Sequence, residues 1–393
     1  MLPKLTTLII TDSFAPESSA AAIMMTQLTS KILSLGCSTV VGTSVENKIE
    51  ITDSDKLRLF QVKNKFKRSN KYYRRVIGEI IASIWLGLKL RLGLISADLE
   101  NIIVYSPSIF WFLTIKLVNS KSSRKILILR DLFPLWLLKA GVLHGERFPY
   151  KFLNYFARLQ YDAFDRIYVQ SQIDVETLVN KYLISENKIQ VLENWQDEII
   201  EDNVPDLDNH ICKSRKNLLW LGNLGVAQNQ KFVISVLIEF VKANKDVKIN
   251  FVGLKPHDKQ KILSNFPDLL SDDSFSFIER LDNNQCAQLA YKSDLGLLSL
   301  NHLERDGNIP GKFISYMMTG LPTFALCGKD SAVGNKIANN NLGFVETGLD
   351  HGTCARALSI AIRKNLDRAK IKNFFLANHK TEIALARIMQ LER

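Results

Sequence analysis

Leu5-Thr6-Thr7-Leu8-Ile9-Ile10 is a compact apolar run, and Thr11-Asp12-Ser13 ends it in polar residues. Such a run predicts a strand buried on both faces, as in a parallel sheet. A loop over Thr11–Ser19 follows, then a helical stretch from Ala20 to Leu35 that stops at Gly36, a residue suited to a left-handed helix end. Thr39-Val40-Val41-Gly42 predicts the second strand. This β-loop-α-β opening starts a doubly wound α/β sheet, whose ligands sit beyond the carboxyl ends of the strands. Met1–Ile10 carries one lysine and no small-residue cleavage site, so it reads as a strand and not as a signal peptide.

Working outward, Ile102–Tyr105, Lys125–Leu129, Arg166–Gln170 and Lys188–Leu192 continue the alternation, with polar turns at Ser106-Pro107-Ser108 and Arg130-Asp131-Leu132-Phe133-Pro134. After a polar, acidic stretch over Glu198–Lys213 the pattern starts again. Strands are expected at Asn217–Leu221, Val247–Val252, Phe275–Ile278, Leu295–Leu300 and Leu321–Ala325, and helices at Phe232–Ala243, Asn284–Lys292, Lys312–Met318 and Asn365–Arg393. The 393 residues suit two domains of about 150–200 residues each. The expected division is 1–203 for an N-terminal Rossmann-like domain, 204–215 for a linker, 216–370 for a second such domain, and 371–393 for a C-terminal helix.

The excess of 51 basic over 40 acidic residues gives a net charge of +11, which favours anionic partners or simply a solvated surface. Five scattered cysteines without a CxxC pair argue against a disulfide framework or zinc site and for a reducing cytoplasm. Val76–Ile95 is nearly all apolar, but Glu79, Lys89 and Arg91 interrupt it. Charges near a bilayer centre cost about 2.5–3.5 kcal/mol each, which disfavours a true span. Glu79, Ser83, Gly87 and Arg91 recur every fourth residue as a less apolar stripe, and the basic stretch Lys63–Arg75, with Phe66, Tyr72 and Tyr73 interleaved, leads in. Two readings stand: a monotopic membrane contact, or a core helix of the first domain behind a solvated basic loop.

The chemistry concentrates in Arg305-Asp306-Gly307-Asn308-Ile309-Pro310-Gly311-Lys312-Phe313, between a strand and a helix. Gly307 and Gly311 allow close backbone approach, and Pro310 suits a helix start. The free N–H groups and the helix dipole there attract a diphosphate, and Lys312 adds a positive charge. Gly222-Asn223-Leu224-Gly225 opens the same domain, so both loops are expected at one sheet edge. In the first domain Ser18 and Ser19 precede a helix, where they either help receive an anion or sugar oxygens or cap the helix. Asp53-Ser54-Asp55 and Asp206-Leu207-Asp208 lie in polar connections and read as solvated acids. The six histidines show no metal spacing, with His302 near the donor loop.

Leu219–Gln228, Ile309–Pro322 and Leu129–Pro134 together resemble bacterial family-four glycosyltransferases, more narrowly the surface-polysaccharide branch with its assigned L-fucosamine transferases. Val104–Pro107, Glu193-Asn194-Trp195 and the loop around Pro16–Ala22 fit the same branch. The resemblance implies an α/β GT-B fold: two facing Rossmann-like domains with parallel sheets and a C-terminal helix returning to the first. It also implies retention of anomeric configuration, with no metal or other cofactor. The donor would be a nucleotide-sugar, UDP-linked and by analogy an N-acetylated deoxyhexosamine. The acceptor would be a lipid-linked glycan of O-antigen or capsule assembly, met peripherally on the cytoplasmic face of the inner membrane. Gly222, Asn223, Gly225, Gln228, Arg280, Asn308, Pro310, Gly311 and Ser315 are expected at the donor, Lys312 at its diphosphate, and Ser18, Ser19 and Arg130 at the acceptor. Asp131 is expected to orient or deprotonate the acceptor hydroxyl. One departure stands out. Many relatives carry two glutamates eight positions apart, and the matching residues here are Gly307 and Ser315; the arginine usual after the glycine loop is also missing, with Gln228, Asn229 and Lys231 nearby. A non-catalytic subunit on the same fold is therefore the competing expectation. An epimerase would need more ionisable groups around the sugar, and nucleic-acid binding would rest on charge alone.

Overall fold

The structure, a computed structural model, describes residues 6–17, 19–45, 56–67, 69, 71–93, 99–106, 108–118, 122–139, 148–201, 210–302 and 306–390. The chain forms two compact units, Met1–Glu193 with Thr381–Arg393, and Asn194–Lys380.

In the first unit the strands are β1 (Thr6–Thr11), β2 (Ser38–Val45), β3 (Leu57–Lys63), β4 (Leu99–Tyr105), β5 (Arg124–Ile128), β6 (Arg166–Val169) and β7 (Ile189–Val191). The helices are α1 (Ala20–Ser34), α2 (Tyr72–Gly93), α3 (Trp111–Val118), α4 (Leu135–Lys139), α5 (Phe148–Asp162) and α6 (Gln172–Tyr182). All strand pairs are parallel, in the order β3-β2-β1-β4-β5-β6-β7. The central strands bury Leu8, Ile10, Ile102, Val104 and Leu127 completely. Their near-continuous apolar runs follow from helices covering both faces.

The second unit repeats the plan with β8 (Lys216–Leu221), β9 (Val247–Val252), β10 (Phe275–Ile278), β11 (Leu295–Ser299), β12 (Thr323–Leu326) and β13 (Gly343–Glu346). Its helices are α7 (Gln230–Ala243), α8 (Pro256–Asn265), α9 (Asn283–Lys292), α10 (Gly311–Met318), α11 (Ala332–Asn339), α12 (His351–Ala361) and α13 (Arg368–Asn378). The parallel order is β10-β9-β8-β11-β12-β13. Strand order reverses between β1 and β4 in one sheet and between β8 and β11 in the other. Those are the switch points where such sheets open a crevice for ligands.

At the second switch point β8 and β11 pair only through Leu218–Leu295 and Leu219–Gly296. Beyond that register the ladder is replaced by one side chain. The Tyr316 hydroxyl donates to Leu219 O (2.9 Å), lies 3.2 Å from Leu297 O, and accepts from Leu221 N–H (3.0 Å). Its ring lies against Gly296, where an added Cβ would sit 2.6 Å from a ring carbon. A tyrosine from α10 thus wedges the two strands apart and ties the helix to both.

Two strands were not expected from the sequence, β3 and β13. Both are edge strands, and their residues are largely half-exposed, so neither carries the apolar run of a buried strand. The single helix expected over Asn365–Arg393 is broken at His379 into α13 and α14 (Thr381–Met389). His379 is buried, with Nδ1 2.9 Å from Asn194 O and its carbonyl accepting from Gln196 N–H. The division therefore differs from the expected 203 and 371. Asn194–Ile199 is held in the second unit by Asn194 Nδ2 donating to Ile309 O (2.8 Å) and Tyr291 Oη donating to Ile199 O (2.6 Å). Only α14 joins the first unit, through Lys31–Glu382 (2.6 Å) and a bond from Tyr168 Oη to Arg387 O (2.7 Å). Half of the expected linker, and both Asp-x-Asp strings, lie outside the described residues.

Among the described residues no helix is long and apolar enough to cross a membrane. The inner side of α2 is Gly78, Ala82, Ser83, Leu86, Gly87 and Leu90, all buried; of the less apolar stripe, Ser83 and Gly87 lie there, Glu79 is half-buried and Arg91 is exposed. A Cβ on Gly87 would come within 2.8 Å of Leu117, and Thr114 Oγ1 donates to Ser83 O (2.7 Å). Small residues let α2 lie close on α3; Leu86 and Leu90 are buried beside them, and Ile77, Ile81, Ile84, Trp85, Leu88 and Leu92 are left exposed.

Candidate functional site

Gly222 follows β8 with φ of +74°, a conformation that costs glycine little, and its N–H donates to Val252 O (2.8 Å). The chain thereby leaves the sheet at the switch point. Trp220 fixes the loop, its indole N–H shared between Gly222 O (3.2 Å) and Asn223 O (3.3 Å). Within the loop Gln228 Oε1 accepts from Gly225 N–H (2.9 Å), and Asn223 Oδ1 accepts from Lys255 N–H (3.3 Å). Gln228 and Asn223 therefore shape the glycine loop through their carbonyl oxygens and keep their amide N–H groups.

The α10 start lies against the same tryptophan. Lys312 Nζ sits 3.7 Å from the centre of a Trp220 ring, within cation–π range. That nitrogen is buried and has no hydrogen-bond partner. Burial lowers its pKa from the ordinary 10.5 to about 7, because a desolvated ammonium is penalised over the amine. The N-cap of α10 is Pro310, at φ −63° and ψ 140°, with no capping side chain. Phe313 N–H bonds back to Pro310 O (3.0 Å), and the amides of Gly311 and Lys312 have no capping side chain and open the helix, where its dipole is positive. The loop ahead is held by Asp306 Oδ1, which accepts from Asn308 N–H (3.0 Å), and by the bond from Asn194 to Ile309 O.

Gly222–Gly225 and Asn308–Lys312 thus meet through Trp220, as the sequence led one to expect. Arg280 follows β10, is exposed, and lies beside Gly253 at the end of β9. Ser315 is one turn into α10, and its hydroxyl donates to Gln196 Oε1 (3.1 Å). Gln196 was not foreseen; it precedes the second domain in sequence yet belongs to it in space. His302 packs edge-on against Phe232, 5.3 Å between ring centres, and burial lowers its pKa.

In the first unit two expectations change. Ser19 caps α1 by accepting from Ala22 N–H (3.3 Å), so its hydroxyl serves the helix; Ser18 lies outside the described residues. Arg130 is 8% exposed, and its guanidinium donates to Leu192 O and Glu193 O. It braces the ends of β5 and β7 instead of waiting for a phosphate. Arg130→Ala should therefore lower unfolding stability by about 2 kcal/mol, the cost of stranding buried carbonyls, and leave donor KM unchanged, as denaturant melts and steady-state kinetics would read. Asp131 stands exposed in the turn after β5, with its carbonyl accepting from Phe133 N–H.

The sequence reading passed over a buried acid pair at the first switch point. Asp12 follows β1, and its Oδ1 is buried without a partner; burial raises its pKa to about 6, against the pull of Lys67. Lys67 donates to Asp12 O and to Ser44 O, and lies 3.7 Å from Glu17. Glu79, from the inner face of α2 and bonded to Ser108, is raised by burial from 4.5 to about 7. A carboxyl with a raised folded-state pKa stabilises below its unfolded value, and that stability is lost as pH climbs through the folded one. Glu79→Gln should flatten the fall in stability from pH 4.5 to about 7, read as melting temperature against pH.

No protein-family model matches the chain. A probable glycosyltransferase of Pseudomonas aeruginosa, WbjE, is 23% identical over 302 residues, spanning 71% of this chain and 70% of that protein. Among solved structures, a glycosyltransferase from Rickettsia africae superposes with a TM-score of 0.70 at 13% identity, covering 99% of this chain and 100% of the other. HepE of Anabaena in complex with UDP gives 0.68 at 11% identity, covering 98% of each chain. A UDP-forming α,α-trehalose-phosphate synthase from Burkholderia xenovorans in complex with glucose-6-phosphate gives 0.68 at 12%, covering 98% and 99%. The chain has the GT-B fold of glycosyltransferases, two Rossmann-like units with parallel sheets, and over most of its length its sequence is similar to a probable member of that class.

Proposed function

We propose that the chain is a glycosyltransferase that takes a sugar from a nucleotide-sugar, UDP-linked, with retention of configuration and without a metal, and passes it to a lipid-linked glycan in O-antigen or capsule assembly. The donor sugar we infer is an N-acetylated deoxyhexosamine of the L-fucosamine kind. The observation that carries the reading is the uncapped α10 start with the unpartnered Lys312 Nζ beside it. When the glycosidic bond to a nucleoside diphosphate breaks, negative charge grows on the β-phosphate. Preorganised amides and an ammonium at that oxygen stabilise the transition state more than the ground state. Lys312 is poised for this, because an arriving diphosphate raises a pKa that burial alone has brought to about 7. Donor contacts are assigned to the glycine loop, Arg280 and the Ser315–Gln196 pair. Asp131 is assigned to orient the acceptor hydroxyl, being the exposed carboxylate beside a sheet end in the first unit. Likeness to WbjE and to a UDP-bound fold relative supports the same reading.

The test incubates the protein with a panel of nucleotide-sugars and polyprenyl-diphosphate-linked acceptors, following released nucleotide and product mass. Transfer from one UDP-sugar is expected; no release across the panel would sink the reading. The engagement of Ser315 with Gln196, where relatives carry a carboxylate, keeps a second reading in play: a non-catalytic nucleotide-binding subunit. It predicts UDP binding without turnover, and Lys312→Ala without effect in a reconstituted pathway.

A further inference from the structure

Helix α2 is apolar on both sides. Its inner side, Gly78, Ala82, Ser83, Leu86, Gly87 and Leu90, is buried on the fold, and Ile77, Ile81, Ile84, Trp85, Leu88 and Leu92 project to solvent, Trp85 57% and Leu92 72% exposed. These positions recur every three or four residues within the 22-residue helix, a row about 23 Å long from Ile77 to Leu92 at the helical rise. Lys71, Arg74 and Arg75 flank one end and Lys89 and Arg91 the other, all exposed. The one acid of the helix, Glu79, is half-buried and bonded to Ser108. On α5, Phe148 and Tyr155 are likewise 76% and 60% exposed. α3 packs against both helices.

We propose that this face docks the protein on an anionic bilayer, with α2 lying in the interfacial plane, its outer side chains in the acyl boundary and its terminal arginines and lysines among the headgroups. The inference deepens the lipid-linked acceptor reading and rests on it for its purpose, though not for its physics. An apolar row flanked by cations is what an interfacial helix needs, and each basic residue near an anionic leaflet adds attraction. A second copy is the poorer occupant. An isologous contact across α2 would set one basic end against the other or against itself, with no exposed acid on the helix to offset it.

Flotation with vesicles tests this without donor or acceptor. The vesicles are phosphatidylcholine alone, or with about a third phosphatidylglycerol. The full chain should float with the anionic vesicles, less so at high salt. Ile81→Glu and Trp85→Glu should each weaken binding at least about tenfold, the loss expected when a large apolar side chain no longer reaches the acyl layer. Both positions are exposed, so the fold should survive, which an unchanged melting temperature would verify. The same exchange at Leu35, exposed on the chain just after α1, should leave binding intact. Failure of the full chain to float, equal binding by the α2 variants, equal loss with Leu35→Glu, or a vesicle-independent dimer that the α2 variants dissolve would each overturn the proposal. Transfer to a water-soluble acceptor analogue separates the two claims: the α2 variants should retain it, and its absence in the wild type would count against the transferase reading while leaving the flotation result untouched.

Discussion

Replacing Lys312 with methionine should lower turnover by about 10²–10³-fold, the usual cost of removing one preorganised group from a developing oxyanion, and at the same time raise the melting temperature of the unliganded protein. Both effects come from one nitrogen. Its burial without a hydrogen-bond partner is unfavourable to the free fold, because the ammonium gives up hydration for a single aromatic face. Methionine keeps the stem's packing and removes the charge. The pH dependence has a definite sign. With a folded-state pKa near 7 and an ordinary value of 10.5, the unfolded chain holds the proton more tightly between those limits. The wild-type penalty is complete below about pH 7 and fades as pH rises to 10.5. The gain in melting temperature from Lys312→Met should therefore be largest in mild acid and vanish in strong alkali. Kinetics at saturating donor and calorimetric melts across pH would read the two halves. A variant that loses turnover and also melts lower would mean that Lys312 is part of the packing and not a held charge.

Tyr316→Phe should be the most destabilising conservative change in the second unit. The hydroxyl satisfies Leu221 N–H and Leu219 O and approaches Leu297 O where β8 and β11 no longer pair. Phenylalanine fills the same volume but strands a buried amide and carbonyl, at about 1–3 kcal/mol each. We expect a loss of about 3 kcal/mol, or a midpoint lower by about 6–12 °C for a unit of this size. Gly296→Ala should act from the other side, its Cβ meeting the Tyr316 ring at 2.6 Å and forcing it off β11 at a cost of about 1–3 kcal/mol or more. The two variants share one wedge, so the double variant should fall short of their sum. Additive losses in urea melts would show that the ring and the hydroxyl act separately.

What could be read in advance follows a physical line. Strands buried on both faces write themselves as apolar runs, so Leu5–Ile10, Val247–Val252 and Leu295–Leu300 were found within a residue or so. Edge strands β3 and β13 do not, because half their side chains meet solvent. The glycine loops were legible from their glycines, of which Gly222 takes a positive φ. The residue that joins them was not: Trp220 reads as one more apolar strand position until its indole N–H and its face are placed. Lys312 could be named from its position after Pro310-Gly311, but its lack of any partner is a tertiary fact. Arg130 shows the opposite error. A strand-end arginine invites a phosphate, and here two backbone carbonyls take it. Asp12 and Glu79 are far apart in sequence, so the buried acid pair exists only once α2 turns its small face inward. That turn also separates the two sequence readings of α2. The helix does pack on the fold, and what it leaves exposed is the apolar side.

The central claim is that the α10 start and Lys312 seat a diphosphate. Calorimetric titration of UDP at about pH 8, repeated in buffers of different ionisation enthalpy, measures the protons exchanged on binding. With an unliganded pKa near 7, Lys312 is mostly neutral under those conditions, and a diphosphate at its nitrogen should draw it back to the ammonium. The account predicts uptake of close to one proton per UDP bound, abolished in Lys312→Met together with most of the affinity. Binding with no proton uptake, or uptake that survives in Lys312→Met, would contradict it.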